Sequence, residues 1–297
     1  MRRSPDIELL RRRAEIVATM RAFFAKEGFV EVETPVRIAA PAPEPHIDCP
    51  EVTPAAGGRS SFLRASPELQ MKKLLAAGMD CIFQIGPCFR DGEIGSRHNP
   101  EFTMVEWYRR NADYLDIMDD LENLFGWFAA LPFWNGGPPP SGRPPFKRLT
   151  VRDAYARWAG WDPWTTWDQD RFDYDMATLI EPALKGEGAV FLMDYPQQAA
   201  SLSKLRGDVA ERWEFYLGGM ELANCFTELC DPDEQRRRFE AAREERRRIG
   251  EADYPIDEDF LVSLGGIGSA AGVALGVDRL VMALLGADEI SYVRSPM

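Results

Sequence analysis

Three stretches of the chain gather residue types suited to one kind of chemistry. From Phe89 to Tyr108 the sequence runs Phe-Arg-Asp-Gly-Glu-Ile-Gly-Ser-Arg-His-Asn-Pro-Glu-Phe-Thr-Met-Val-Glu-Trp-Tyr. Arg90 closes an apolar run, where a guanidinium is able to clamp a phosphate with a planar fork of donors. Arg97 and His98 add donors, and Phe102 offers a stacking face. Glu106 and Tyr108 stand two residues apart, so on a strand they share a face, and a carboxylate beside a phenol suits an ammonium ligand. The second stretch, Met220 to Leu229, sets Glu221 and Glu228 in an apolar context, where ionised carboxylates are costly unless paired or metal-bound. Oxygen ligands together with phosphates are the usual way to hold Mg2+. The third stretch, Gly265 to Leu280, contains a formal GxGxxA match, but only 26 residues follow Ala271, too few for a dinucleotide-binding unit. Gly276-Val277-Asp278-Arg279 reads instead as a glycine turn opening a helix, which lets backbone approach a flat ligand and places Arg279 in the first turn. Arginines for phosphates, acids for Mg2+ and acids for an ammonium describe ATP-dependent activation of an amino-bearing substrate.

The elements that must position these residues are legible from periodicity and punctuation. Residues 4–27 read as a helix with Ser4 as cap and Pro5 in the first turn, and Ile7, Leu10, Ala14, Val17 and Phe24 form one apolar face. Gly28 stops it, and Phe29 to Pro35 alternates like a strand. A loop is expected over 40–60, a helix over 66–80, a buried strand over 81–90, a polar loop over 91–100, a strand from Glu101 to Tyr108 and a helix at about 113–130. Pro132 to Pro145 holds six prolines and three glycines and is the best insertion or linker candidate. Trp158, Trp161, Trp164 and Trp167 recur every third residue, and a local hydrophobic cluster is favoured over an aromatic ligand cage. Residues 232–250 read as a charged helix whose mixed signs favour a solvated, ion-paired face.

The chain has 297 residues, with 35 Lys+Arg against 48 Asp+Glu, a net charge of −13 and a pI near 4.8. Hydrophobic residues make up 45 %, which excludes a disordered chain, and the acid excess argues against a nucleic-acid coat. No apolar run is long enough to span a membrane, and no signal core follows Met1. Five cysteines without a CxxC pair, and only His46 and His98, make a zinc site or disulfide framework a poor reading; reduced thiols in a cytoplasm are the simplest.

Arg90 with His98-Asn99-Pro100-Glu101-Phe102, the Glu221–Glu228 block and Gly276-Val277-Asp278-Arg279 resemble motifs 2 and 3 of the class II aminoacyl-tRNA synthetases, specifically the lysyl branch. Gly28 to Pro35 resembles motif 1, which builds the dimer interface in that family. The likeness runs from about residue 5 to 295. It implies an α+β fold, an antiparallel sheet flanked by helices, as one catalytic domain over 1–297 with an insertion at about 132–145. Within the branch the chain resembles the short paralogues that ligate (R)-β-lysine to elongation factor P, since it begins directly at the catalytic domain, without the anticodon-binding domain. Ala274, where lysyl-tRNA synthetases carry glycine, is the second cue; an added methyl narrows the pocket and favours an amino group on the β carbon.

Carried over position by position, the resemblance implies these roles. Ser66, Pro67 and Glu68 line the amino acid pocket with Ala274, while Glu106, Tyr108 and Glu228 receive the substrate's amines. Arg90 grips the α-phosphate and Arg279 stacks on adenine and reaches the γ-phosphate, and these two carry the catalysis. Asp91, Gly92, Glu93, His98, Asn99, Phe102, Glu221, Leu222 and Gly276 complete the ATP site, with Glu221 and Glu228 on Mg2+. The family writes Phe-Arg-x-Glu; here Gly92 stands at the Glu position and the acid follows as Glu93. The implied enzyme is a cytoplasmic homodimer that adenylates (R)-β-lysine or lysine with ATP and passes it to elongation factor P, with tRNA not expected as acceptor. A free-standing lysine-activating enzyme acting on tRNA, or a non-catalytic synthetase-like module, are the competing readings.

Overall fold

A computed structural model describes residues 6–54, 56–134 and 143–294. In chain order its strands are β1 (Val30–Glu31), β2 (Arg37–Ile38), β3 (Glu51–Val52), β4 (Ser61–Leu63), β5 (Cys81–Phe89), β6 (Glu101–Arg110), β7 (Lys147–Thr150), β8 (Ala189–Pro196), β9 (Leu205–Arg206), β10 (Val209–Leu217), β11 (Met220–Thr227) and β12 (Ala270–Gly276). Its helices include α1 (Ile7–Lys26), α2 (Glu68–Ala76), α3 (Tyr114–Phe128), α4 (Val151–Ala154), α5 (Gln169–Asp175), α6 (Glu181–Leu184), α7 (Pro232–Ile249), α8 (Glu258–Leu264) and α9 (Val277–Leu285). The large sheet runs β1-β5-β6-β12-β11-β10-β8-β7 with β9 beside β10, and β2-β4-β3 form a small separate sheet.

The α+β expectation holds, but the sheet is mixed rather than antiparallel. Neighbours from β5 to β8 are antiparallel, whereas β1 pairs with β5, and β7 with β8, in parallel. Parallel neighbours need a crossover, and the chain supplies one at each edge: α2 lies between β1 and β5, and α4 to α6 between β7 and β8.

Alternation gives the central strands two different faces. Val105 and Trp107 of β6, Val273 and Leu275 of β12, and Ala223 and Cys225 of β11 join one buried core with residues of α1, α3 and α9. The intervening residues line up on the opposite face. Met104 pairs with Gly276, Glu106 with Ala274 and Tyr108 with Gly272; Ala274 and Gly272 pair in turn with Asn224 and Phe226. Directly paired residues share a face, so the register itself assembles a polar floor from three strands.

Several local expectations are corrected. The cap of α1 is Asp6, whose carboxylate accepts from the Glu8 and Leu9 N–H groups, while Ser4 and Pro5 lie outside the described residues. The buried stripe of α1 is Ile16, Met20, Phe23 and Phe24, leaving Ile7 exposed. Only Val30 and Glu31 of the expected 29–35 strand pair in the sheet. Residues 135–142 of the Pro-rich segment lie outside the described residues, but Trp134 and Phe146 on either side are buried in the main core.

The four tryptophans pack partly buried against a second apolar cluster around Tyr155, Phe172 and Leu192. Guanidiniums cover three of them: Arg152 over Trp164, Arg157 over Trp158 and Arg171 over Trp161. The charged helix is α7, capped by Asp231 and closed by Gly250 at φ +85°, with Glu234–Arg237, Glu244–Arg247 and Glu245–Arg248 pairs along it. Arg246 departs from the solvated reading and is fully buried. All five cysteines are free, and no helix among the described residues is long and apolar enough to cross a membrane. Burial pushes the thiols of Cys49 and Cys230 up to about 11, which leaves them protonated at neutral pH.

Candidate active site

Above the polar floor lies a cleft of about 390 Å³. Twelve of the sequence-predicted residues line it: Ser66, Glu68, Arg90, Glu93, His98, Asn99, Phe102, Glu221, Leu222, Ala274, Gly276 and Arg279. They come from β6, β11, β12, the loop after β5 and the starts of α2 and α9, so the sheet register and two helix entries converge on one place. Glu106, Tyr108 and Glu228 are buried and outside this lining, joined to it through Ser66 and Glu68. Pro67 is buried at the N-terminal cap of α2, and Asp91 and exposed Gly92 also lie outside the lining.

The deep end is a pocket of acids. Ser66 donates to Glu106 at 2.6 Å and Tyr108 donates to its other oxygen at 2.8 Å. Burial raises the Glu106 carboxyl to about 7, with the Glu68 charge adding to it and the two hydroxyl donors opposing it. Lys72, on α2 and fully buried, sits 2.5 Å from both Glu68 and Glu228. Burial lifts the Glu228 carboxyl to about 8 against the pull of Lys72, whose ammonium stays protonated between its two acids. Gly272 makes room for this arrangement: a Cβ there would fall 2.1 Å from the Tyr108 ring.

The other end holds the cations. Arg90 lies over the Phe102 ring at 5.2 Å and reaches Glu93 only at 3.5 Å, while its buried Nε has no partner among the described residues. Arg279 meets the Glu221 carboxylate at 3.2 Å and His98 Nε2 at 2.5 Å. Burial and the Arg279 charge hold the His98 imidazole below its usual range, so it is neutral at pH 7. Gly92 has φ +77°, the left-handed region that glycine favours, and a side chain there would point into open space with no described atom within 4 Å of its Cβ. Glu93, by contrast, faces the cleft beside Arg90.

The expected metal pair of Glu221 and Glu228 is not brought together. Strand rise of about 3.3 Å per residue separates their α-carbons by roughly 20 Å, more than two side chains and one ion span. Glu228 is also committed to Lys72. Glu214 on β10 takes its place beside Glu221: burial first, then the Glu214 charge, raises the Glu221 carboxyl to about 7. Sequence reasoning missed Glu214 because Arg212, Glu214 and Tyr216 alternate like any exposed strand face. The hairpin is the signal that would have found it, since Gly218 and Gly219 fold β10 back on β11 and pair Tyr216 with Glu221. Lys72 and Asn224 were also missed. Lys72 sits four residues after Glu68, and Asn224 pairs with Ala274 in the floor. Among the described residues no group of three or more His, Cys, Asp or Glu is arranged to hold a metal by itself.

A sequence profile of the tRNA synthetases class II (D, K and N) matches residues 1–295. The chain belongs to the class II tRNA synthetases of this group. This class II chain is 36 % identical to the elongation factor P–(R)-β-lysine ligase of Proteus mirabilis over 98 % of its own length and 95 % of the relative's. It is 37 % identical to the ligases of the same name from Yersinia enterocolitica and Vibrio parahaemolyticus, covering 98 % and 97 % of this chain and 95 % of each relative.

Proposed function

We propose that the chain uses ATP to activate (R)-β-lysine, or lysine, as an adenylate and ligates it to a lysine ε-amine of elongation factor P. The observation that carries this reading is one cleft with guanidiniums at one end and a buried acid pocket for an ammonium at the other. The names of the relatives, matched over nearly their whole length, supply the amino acid and the acceptor.

The substrate carboxylate attacks the α-phosphorus of ATP, the bond to the β-phosphate oxygen breaks, and pyrophosphate leaves. Arg90 bears on the α-phosphate and Arg279 on the adenine and γ-phosphate, with His98 neutral beside them. Phe102, Leu222 and Gly276 give the nucleotide apolar and backbone surface, and Asn99 and Glu93 give it polar contacts. Positioning and charge neutralisation provide the catalysis, so no protein acid or base is required at this step. Glu106, Tyr108 and Glu228 hold the terminal ammonium, with Ser66, Pro67 and Glu68 framing the substrate's head and Ala274 narrowing the floor. The acceptor lysine amine then attacks the carbonyl of the mixed anhydride, forming an amide and releasing AMP and a proton. Glu221 with Glu214 fits Mg2+ as a pair of hard oxygen ligands whose remaining positions phosphates would fill; when bound it neutralises phosphate charge.

The enzyme works as a cytoplasmic homodimer through the β1 edge, where Val30 is 51 % exposed on a strand with one open side. A solution mass of one chain would refute that part. ATP–pyrophosphate exchange with (R)-β-lysine and with lysine tests the activation. Exchange is expected with at least one, and Arg90→Ala should lower it about 10²- to 10³-fold while the fold persists. Near-normal exchange in that variant would contradict the assignment.

A further inference from the structure

Glu44 is an acid that the reaction above does not use. It lies on the loop between β2 and β3, half-buried, and lines the same cleft as Ser66, Glu68 and Arg90. The loop is fixed from behind. Buried Arg246 of α7 donates to the carbonyls of Glu44 at 2.8 Å and Ile47 at 3.1 Å, and pairs with Asp48 at 2.6 Å. The Glu44 N–H bonds to the Ala42 carbonyl at 2.9 Å.

The charge pairing of the cleft singles this residue out. Lys72 serves Glu68 and Glu228, Ser66 and Tyr108 serve Glu106, Arg279 serves Glu221, and Arg90 faces Glu93. No hydrogen bond or ion pair reaches the Glu44 carboxylate among the described residues. Its surroundings are Arg90, Glu68, Arg212 and Lys72, and burial raises its carboxyl above the usual range against the opposing charge of Arg90.

A diamino acid seated with its terminal ammonium among Glu106, Tyr108 and Glu228 and its carboxylate toward Arg90 carries a second ammonium near the carboxylate. We propose that Glu44 accepts the amino group nearer the carboxylate, and that it is the residue by which the cleft prefers a diamino acid to one bearing only a terminal amine. The proposal rests on the amino-acid-activation reading above.

The test compares (R)-β-lysine, as substrate in ATP–pyrophosphate exchange, with 6-aminohexanoate, which lacks the second amine, as competitor of that exchange. Losing a charge-assisted hydrogen bond should raise KM for (R)-β-lysine about ten- to a hundredfold in Glu44→Gln. The inhibition constant of 6-aminohexanoate and KM for ATP should stay within about twofold, and Glu44→Asp should recover part of the preference. A variant that keeps the wild-type preference overturns the proposal. So does one that weakens both amino acids and ATP together, which would make Glu44 a positioning residue for Arg90. Wild-type exchange run alongside separates the two levels: an inert wild-type chain sinks the activation reading itself, whereas an active wild type with an indifferent Glu44→Gln sinks only this proposal.

Discussion

Glu106 shows how a single buried side chain ties substrate binding to pH. Its carboxyl lies near 7 rather than the ordinary 4.5, first because it is buried and then because Glu68 is close. Before an amine binds it is therefore largely protonated below about 7, and it must ionise to take an ammonium. Affinity for the amine substrate should strengthen as pH rises through about 7 and weaken below it, read as KM in the exchange assay across that range. The same shift has the opposite sign for the free fold: the folded state binds a proton that the unfolded chain has lost, so this group's contribution to stability falls as pH rises between about 4.5 and 7. Glu106→Gln should remove the part of the pH dependence centred near 7 and most amine binding, yet melt higher than wild type above about pH 7. A variant that loses stability and leaves KM unchanged would contradict the assigned role. The residue types were legible in sequence here: the even spacing of Glu106 and Tyr108 announced a shared face, and the hydrogen bond between them bears that geometry out. The cation already in the pocket was not, because nothing about Lys72 in Glu68-Leu69-Gln70-Met71-Lys72 distinguishes a fully buried lysine from a solvated one before tertiary packing is known.

At the scale of elements, the site depends on the β6–β12–β11 register, and glycine is the tolerance on which that register rests. Gly272 lies opposite Tyr108, and an added Cβ would meet the ring at 2.1 Å and Glu228 Oε1 at 2.9 Å. Gly272→Ala should destabilise the fold by about 1–3 kcal/mol through overpacking and raise KM for the amino acid more than KM for ATP, since Arg90 and Arg279 stand at the other end of the cleft. Equal effects on both substrates, or none, would show that the floor does not hold Tyr108 in place. The strands and helices that carry the site were readable from alternation and punctuation, with Cys81–Phe89 and Glu101–Arg110 close to expectation. What failed was partnership between elements. Two carboxylates seven residues apart, one on β11 and one just past its end, look adjacent in a sequence, but extended backbone carries them apart, and the neighbour of Glu221 comes from the next strand across a Gly-Gly hairpin. Parallel pairing at the two sheet edges was equally invisible, because it is set by crossovers and not by the pattern within a strand.

For the whole molecule, the acid excess acquires a partial explanation. Glu68 and Glu221 line one cleft, Glu106 and Glu228 are buried just outside its lining, and others are paired along exposed helices such as α7. Every cleft residue falls within residues 1–295, the stretch that the family profile matches. The central claim is that this cleft delivers an activated diamino acid to a protein. Intact mass of elongation factor P, incubated with the chain, ATP and (R)-β-lysine, tests it most directly. The predicted result is a gain equal to one lysine less one water, confined to a single lysine and absent without ATP. An unchanged elongation factor P beside efficient ATP–pyrophosphate exchange, with the amino acid transferred to tRNA instead, would contradict it.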